Sequence, residues 1–277
     1  MSTCQYMQNA DRVGELTAKL GAARARLAHA AEAAGRNVND IELLPITKFF
    51  PASDIFILHQ LGCHAFGESR EQEAANKVAT VRAELPDATV RWHMVGRIQR
   101  NKAKAVASWA YAAHSVDSQR LITALDRAAT AALAAGTRAE PLRVYLQISL
   151  DGDTERGGID VGSPDLVDEL CAAADRADGL TFVGLMGIPP LEVDPDDAFA
   201  RLAAERDRVQ ADYPQRLELS AGMSSDLEIA VKHGSTCVRV GTALMGKRPL
   251  TSPAVVTPVT SSSQTSPPPR SAEGSPR

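Results

Sequence analysis

Cysteine is sparse in this chain, and its four copies, Cys4, Cys63, Cys171 and Cys237, stand far apart. No C-x-x-C pair and no neighbouring histidine pattern accompanies them, which excludes a zinc site and a disulfide framework. They read as core fillers in a reducing cytosol. Basic clusters are also missing: the formal charge is -4 with no lysine or arginine block, so nothing invites nucleic acid or an anionic membrane. No run approaches the ~20 unbroken apolar residues that cross a bilayer. The opening stretch, MSTCQYMQNADRVGE, lacks the basic and apolar parts of a secretory leader, and a cytoplasmic location is expected. What remains is an ordinary globular balance, 44% hydrophobic and 23% charged over 277 residues, enough for one large α/β domain.

Residues 11–35 favour helix and stop at Gly35. Short β-rich runs then recur at 41–47, 64–67, 90–96, 112–116, 143–149, 181–187, 217–221 and 237–241. Helical segments fall between them at 69–84, 101–109, 118–135, 164–177, 195–212 and 225–233, and Asp151 to Gly162 reads as a polar loop. Eight strands, each followed by a helical segment, predict a (β/α)8 barrel, whose buried parallel strands explain runs such as LRVYLQI that barely alternate. An open doubly wound sheet is the competing fold, but no G-x-G-x-x-G turn follows the first strand. From Thr251 the chain turns to Ser, Thr and Pro without amphipathic period. The domain is therefore drawn as 1–250, and 251–277 as a disordered tail.

Barrel chemistry gathers at the C-terminal ends of the strands. Lys48 stands there, in ELLPITKFF. Its ammonium either snorkels to solvent or sits in a pocket as a nucleophile towards carbonyls. Glu68 and Ser69 follow the second strand, His93 lies in the third, and Ser115 and Asp117 close the fourth. After the seventh, Gly222-Met223-Ser224-Ser225-Asp226 opens a helix, and after the eighth Gly241-Thr242-Ala243 does the same. Paired at those two strands, these loops suit a phosphate, held by backbone N–H groups and hydroxyls. Between Val238 and Val240, Arg239 points into the barrel, where it meets either an internal carboxylate or a ligand. A carbonyl-seeking lysine, a phosphate cradle and an inward arginine together match pyridoxal phosphate. Metal ligands are not expected.

The motifs LLPITK, FGESREQEAANK, RWHMVGRIQRNKAKAV, HSVDS, GLMGIPP and LSAGMSSDLEIAVKHGSTCVRVGTALMG follow one another over residues 40–248. In this order they resemble the pyridoxal phosphate homeostasis protein family. The resemblance implies a single barrel of the alanine racemase type (fold-type III) with the cofactor held as an aldimine on Lys48. It also implies phosphate contacts around Met223, Ser224, Gly241 and Thr242, and Arg239 facing the pyridine nitrogen, with Ser69 as a cofactor neighbour; His93 reads equally as a cofactor neighbour or as a hydrogen-bonded structural histidine. Ser69 stands where the family commonly has asparagine. The implied role is upkeep of vitamin B6 pools, with delivery to apo-enzymes and without turnover; a monomer is expected separately, because no extended apolar face is evident outside the barrel helices. Three rivals remain: a small amino-acid racemase, a sugar-phosphate Schiff-base enzyme and a scaffold acting through the tail. A racemase needs a second acid/base, and Tyr111, Tyr145 and Tyr213 offer no evident one opposite Lys48.

Overall fold

The computed structural model describes residues 10–247. The tail drawn at 251–277 lies outside the described residues, as does Cys4. Nine strands are described: β1 (Glu42–Pro45), β2 (Ala65–Glu68), β3 (Arg91–Met94), β4 (Ala112–Val116), β5 (Leu142–Ser149), β6 (Ile159–Asp160), β7 (Leu180–Gly187), β8 (Glu218–Ser220) and β9 (Cys237–Val240). They join in the order β1-β9-β8-β7-β5-β4-β3-β2, with the two-residue β6 paired to β5 alone. Every pairing is parallel. The ring closes between its first two strands through a lone bridge, Ile46 to Gly67, with the Thr47 amide donating to the Gly67 carbonyl at 2.9 Å. Glycine fits closely at that seam: a Cβ on Gly67 would lie 2.4 Å from Cδ1 of Ile46, whose side chain would then have to shift.

The helices are α1 (Ala10–Ala33), α2 (Ala52–Gln60), α3 (Glu71–Glu84), α4 (Ala103–Trp109), α5 (Gln119–Ala134), α6 (Pro164–Asp175), α7 (Pro195–Gln210), α8 (Leu227–Lys232) and α9 (Thr242–Met245). Periodicity explains the long ones. Helix α5 buries Leu121, Ile122, Leu125 and Ala129 along one stripe. Helix α1 buries Leu16, Leu20, Ala23, Leu27, Ala30 and Ala31, alternately four and three apart apart from the final pair. Each buried leucine there contributes roughly 1.5–3 kcal/mol. Prolines occupy the first turns of α6 and α7, where a missing N–H costs nothing. The Asp194 side chain caps α7 by accepting from the Asp196 amide at 2.8 Å. Ion pairs tie α1 across the barrel's outside, Arg12 to Asp54 on α2 at 2.5 Å and Arg26 to Glu228 on α8 at 2.8 Å.

Several local differences from the sequence expectation have physical causes. Helix α2 was not anticipated, because Ile55, Phe56, Ile57 and Leu58 are all buried and leave no amphipathic stripe. The polar loop at 151–162 contains β6, which extends the ladder of β5 through Ile148 and Ile159. The segment expected as helix over 101–109 begins as a 3-10 turn, Arg100–Lys102. Outward-facing strand residues such as Val144, Leu146, Val238 and Val240 join the helices in one large apolar core. Inside the ring, apolar packing is confined to two small clusters, Leu44, Ile46, Ala65 and Cys237, and Ala112, Tyr145, Val183 and Met186. Between them His93, His114, Ser220 and Arg239 are all buried. Cys63, Cys171 and Cys237 are buried and unpaired, as core fillers should be.

Candidate functional site

Lys48 leaves the end of β1 half-buried. Among the described residues it makes no ion pair, and its Nζ lies 5.9 Å from the centroid of the Phe49 ring. The next residue explains the local path of the chain. Phe49 adopts φ 70°, the sole non-glycine residue with positive φ among the described residues, a conformation that costs on the order of 1–3 kcal/mol. Two contacts hold it there: its amide donates to Glu73 Oε1 at 2.5 Å, and the Arg70 guanidinium lies 4.9 Å from its ring centroid.

Behind Lys48 a second lysine is fully engaged. Lys77 donates to Glu68 Oε1 at 2.6 Å and to the Thr47 carbonyl at 2.9 Å, and the Thr47 hydroxyl donates to the same Glu68 oxygen at 2.7 Å. Burial raises the Glu68 carboxyl above its ordinary value, against the pull of Lys77. Its other oxygen, Oε2, is buried without a hydrogen-bond partner. Sequence reading named Glu68 and missed Lys77, which the helical pattern of α3 leaves on an undistinguished face.

The two glycine loops meet. Gly222 takes φ 90°, and a Cβ there would come within 2.5 Å of the Ala230 methyl, so only glycine turns the chain at this point. Asp226 accepts from the Met223 amide at 2.5 Å and fixes the loop. Ser224 is half-buried, and its hydroxyl oxygen accepts from the Ala243 amide at 3.3 Å, which joins the loop after β8 to the one after β9. Gly241 caps α9, and Thr242 beside it is exposed. Ser69 follows β2 half-buried, its backbone so close to Gly96 that a Cβ there would lie 2.2 Å from the Ser69 carbonyl oxygen. Arg156 is engaged within its own loop, paired with Asp151 and with Asp153.

Arg239 is 5% exposed and has no carboxylate partner among the described residues. Its Nη1 donates to the Ser220 carbonyl and hydroxyl oxygens at 2.8 and 2.7 Å, and its Nη2 to the Gly187 carbonyl at 3.0 Å. Of the two partners weighed for it, the internal carboxylate is therefore absent. From Ser220 a chain of contacts runs through the barrel, 2.8 Å to His114 Nδ1, then 2.9 Å from His114 Nε2 to His93 Nδ1. His93 thus stands apart from Lys48, Ser224 and Thr242. It borders a cavity at the N-terminal end of the strands and reaches Arg239 only through two other side chains.

Burial pushes His93 down to about 3 and His114 well below the ordinary 6.5. Both rings are neutral in the fold and take up protons once unfolded, so their contribution to stability is complete above about 6.5 and declines as pH falls towards 3. The histidine part of that slope approaches ~2.7 kcal/mol per pH unit at most, for two protons. Urea unfolding over a pH series should show it halved in His93→Gln, and an unchanged slope would contradict the assignment.

Residues 19–249 match the family model described as alanine racemase, N-terminal domain. The chain is 63% identical over 249 residues to the pyridoxal phosphate homeostasis protein of Mycobacterium tuberculosis H37Rv, covering 88% of this chain and 96% of that protein. The protein of the same description from Corynebacterium glutamicum is 44% identical over 78% of this chain and 94% of its own length. PipY of Synechococcus elongatus PCC7942, in its structure with PLP bound, superposes with a TM-score of 0.67 at 30% identity, over 84% of this chain and all of PipY. On this likeness across nearly its whole described length, the chain belongs to the pyridoxal phosphate homeostasis protein family.

Proposed function

We propose that this protein binds pyridoxal 5'-phosphate through Lys48 and serves vitamin B6 homeostasis in the cell. One observation carries the reading: Lys48, Arg239 and the Ser224–Ala243 junction belong to three neighbouring strands, β1, β9 and β8, and to the loops that leave them. A buried arginine with no carboxylate partner among the described residues suits a ring nitrogen acceptor. A lysine with no ion pair among those residues, at the end of the neighbouring strand, suits an aldehyde. PipY, a relative, has a structure with PLP bound.

In this reading each group has a task. When bound, the cofactor supplies an aldehyde and an electron-withdrawing ring. Lys48 offers its Nζ as the attaching nucleophile. Ser224, with the backbone N–H groups at Gly241 and Thr242, would hold the phosphate, while Met223 shapes the loop through its amide hydrogen bond to Asp226. Arg239, fixed by Ser220 and Gly187, would donate to the ring nitrogen and, as a permanent cation, disfavour protonation there. Ser69 would reach the cofactor from the end of β2, and His93 would act only through His114 and Ser220.

Binding is favoured over racemisation by where the tyrosines stand. Tyr111 and Tyr145 border the cavity at the opposite end of the barrel, and Tyr213 packs against Phe182 with ring centroids 5.2 Å apart. A second acid/base across from Lys48 is thus not supplied by any described tyrosine. Attachment through one lysine is reversible, which suits a cytoplasmic monomer that holds cofactor and yields it to apo-enzymes. No helix among the described residues is long and apolar enough to cross a membrane.

The deciding experiment is borohydride reduction of the full-length protein after incubation with pyridoxal phosphate, followed by peptide mapping. Irreversible labelling of Lys48 is the expected outcome. A protein that stays colourless, or that carries label elsewhere with Lys48 unmodified, would overturn the proposal.

A further inference from the structure

The bottom of the barrel, remote from Lys48, is polar and open. A cavity of about 800 Å³ lies there, bordered by residues at the starts of the strands: Glu42, Arg91, His93, Tyr111, Arg143 and Glu218 among them. Two ion pairs frame it, Arg91 with Glu42 and Arg143 with Glu218, each at 2.5 Å. The two guanidiniums lie 5.6 and 5.4 Å from the Tyr111 ring centroid. Arg216 and Asp40 add one charge of each sign at the rim, so the lining is electrically balanced. A phosphate dianion placed here would face Glu42 and Glu218 without a surplus of cations to receive it.

One buried atom in this lining lacks a partner. His93 Nε2 is buried, with no hydrogen-bond partner, in a residue 2% exposed. Glu42 Oε2 faces it at 3.8 Å, too far for a hydrogen bond. Two tautomers complete the relay, because the Ser220 hydroxyl oxygen that accepts from Arg239 can either donate its proton to His114 Nδ1 or accept a second bond there. In the first, His114 Nε2–H donates to His93 Nδ1 and the remaining ring proton sits on His93 Nε2. In that tautomer the cavity presents a buried donor without a partner beside the half-buried Glu42 carboxylate, and leaving such a donor unpaired is costly.

We propose that this cavity is a second ligand site, for a small zwitterion whose carboxylate and ammonium are adjacent, as in a free α-amino acid. The carboxylate accepts from His93 Nε2–H, and the ammonium donates to Glu42 Oε2. The balanced charge of the lining favours a ligand that is itself neutral overall, and the Tyr111 face receives its apolar part. Binding is non-covalent and uses no group at the Lys48 end.

The test is calorimetric titration of the full-length protein, without added cofactor, using L-proline as probe. Its secondary ammonium does not condense stably with an aldehyde, so the result is independent of whether Lys48 carries cofactor. Pyrrolidine and cyclopentanecarboxylate, each retaining one of proline's two charges, are matched controls. Saturable binding of proline is expected, with each control at least ~10-fold weaker, and Glu42→Gln should weaken proline by at least ~10-fold while far-UV circular dichroism confirms the fold. In ¹⁵N-histidine spectra the His93 ring signal should shift with proline and not with pyrrolidine. Absence of saturable binding, equal affinity for either control, or an unmoved His93 signal overturns the proposal, and ordered water then satisfies His93. None of these outcomes bears on the cofactor reading, whose own test is labelling of Lys48.

Discussion

Lys77→Met is expected to lower the unfolding free energy by about 3–5 kcal/mol, the usual consequence of removing one member of a buried ion pair. The Lys77 side chain is 5% exposed and that of Glu68 0%, so solvent cannot replace the lost partner. Glu68 is already raised by burial, and without Lys77 it is raised further. The fold then keeps a proton on Glu68 that the unfolded chain releases, so stability falls as pH rises above the ordinary carboxylate range. The deficit of Lys77→Met is accordingly smallest in acid and grows towards neutrality. The double variant Lys77→Met with Glu68→Gln should recover much of the loss, because it removes the stranded charge. Denaturant unfolding of the three proteins across pH measures this. A pH-independent deficit, or a double variant no better than the single one, would mean that Lys77 acts by packing alone.

Lys48→Ala has the opposite profile, a large effect on cofactor and a small one on folding. The visible absorption of the loaded protein should vanish, and affinity for pyridoxal phosphate should drop by about 100-fold, ~2.7 kcal/mol. Stability without cofactor should change by no more than ~0.5 kcal/mol, because the side chain is half-buried and makes no ion pair among the described residues. The difference appears in thermal unfolding. At a cofactor concentration ~100 times its dissociation constant, the native protein gains ~2.7 kcal/mol and the variant almost nothing. Equal cofactor-induced shifts in both proteins would remove Lys48 from the attachment point. The two lysines, which meet at Thr47 as its chain neighbour and as the donor to its carbonyl, thus separate cleanly: one holds the barrel and the other would hold the ligand.

Much of this arrangement is legible in sequence because it depends on local alternation. Val238 and Val240 flank Arg239, and a period of two suffices to turn the arginine inward. Gly222 and Gly241 mark their loops for a similarly local reason. Helix α2 was hidden because a helix buried on several sides carries no amphipathic signature. The relay from Arg239 to His93 was hidden for a different reason. Ser220, His114 and His93 come from three strands, and their contact depends on register across the ring, which no single segment encodes. His93 reads equally as a hydrogen-bonded structural histidine or a cofactor neighbour in sequence, and its ring bonds to His114 and borders the cavity at the far end of the strands. The balanced charge of that cavity is likewise spread over the first residues of β1, β3, β5 and β8, and becomes visible only when those strands are assembled.

The closure through Ile46 and Gly67 has a consequence for how the chain reaches this state. The first strand is flanked on one side by the last, β9, and on the other by β2 across a lone bridge. Pairing β1 with β9 joins segments from opposite ends of the sequence, and such non-local contacts form slowly. A ribosome-bound chain therefore carries Lys48 long before it carries Arg239. Until β9 has emerged and docked, the lysine has neither the arginine nor the glycine loops beside it, and the site comes into being in the same event that completes the ring.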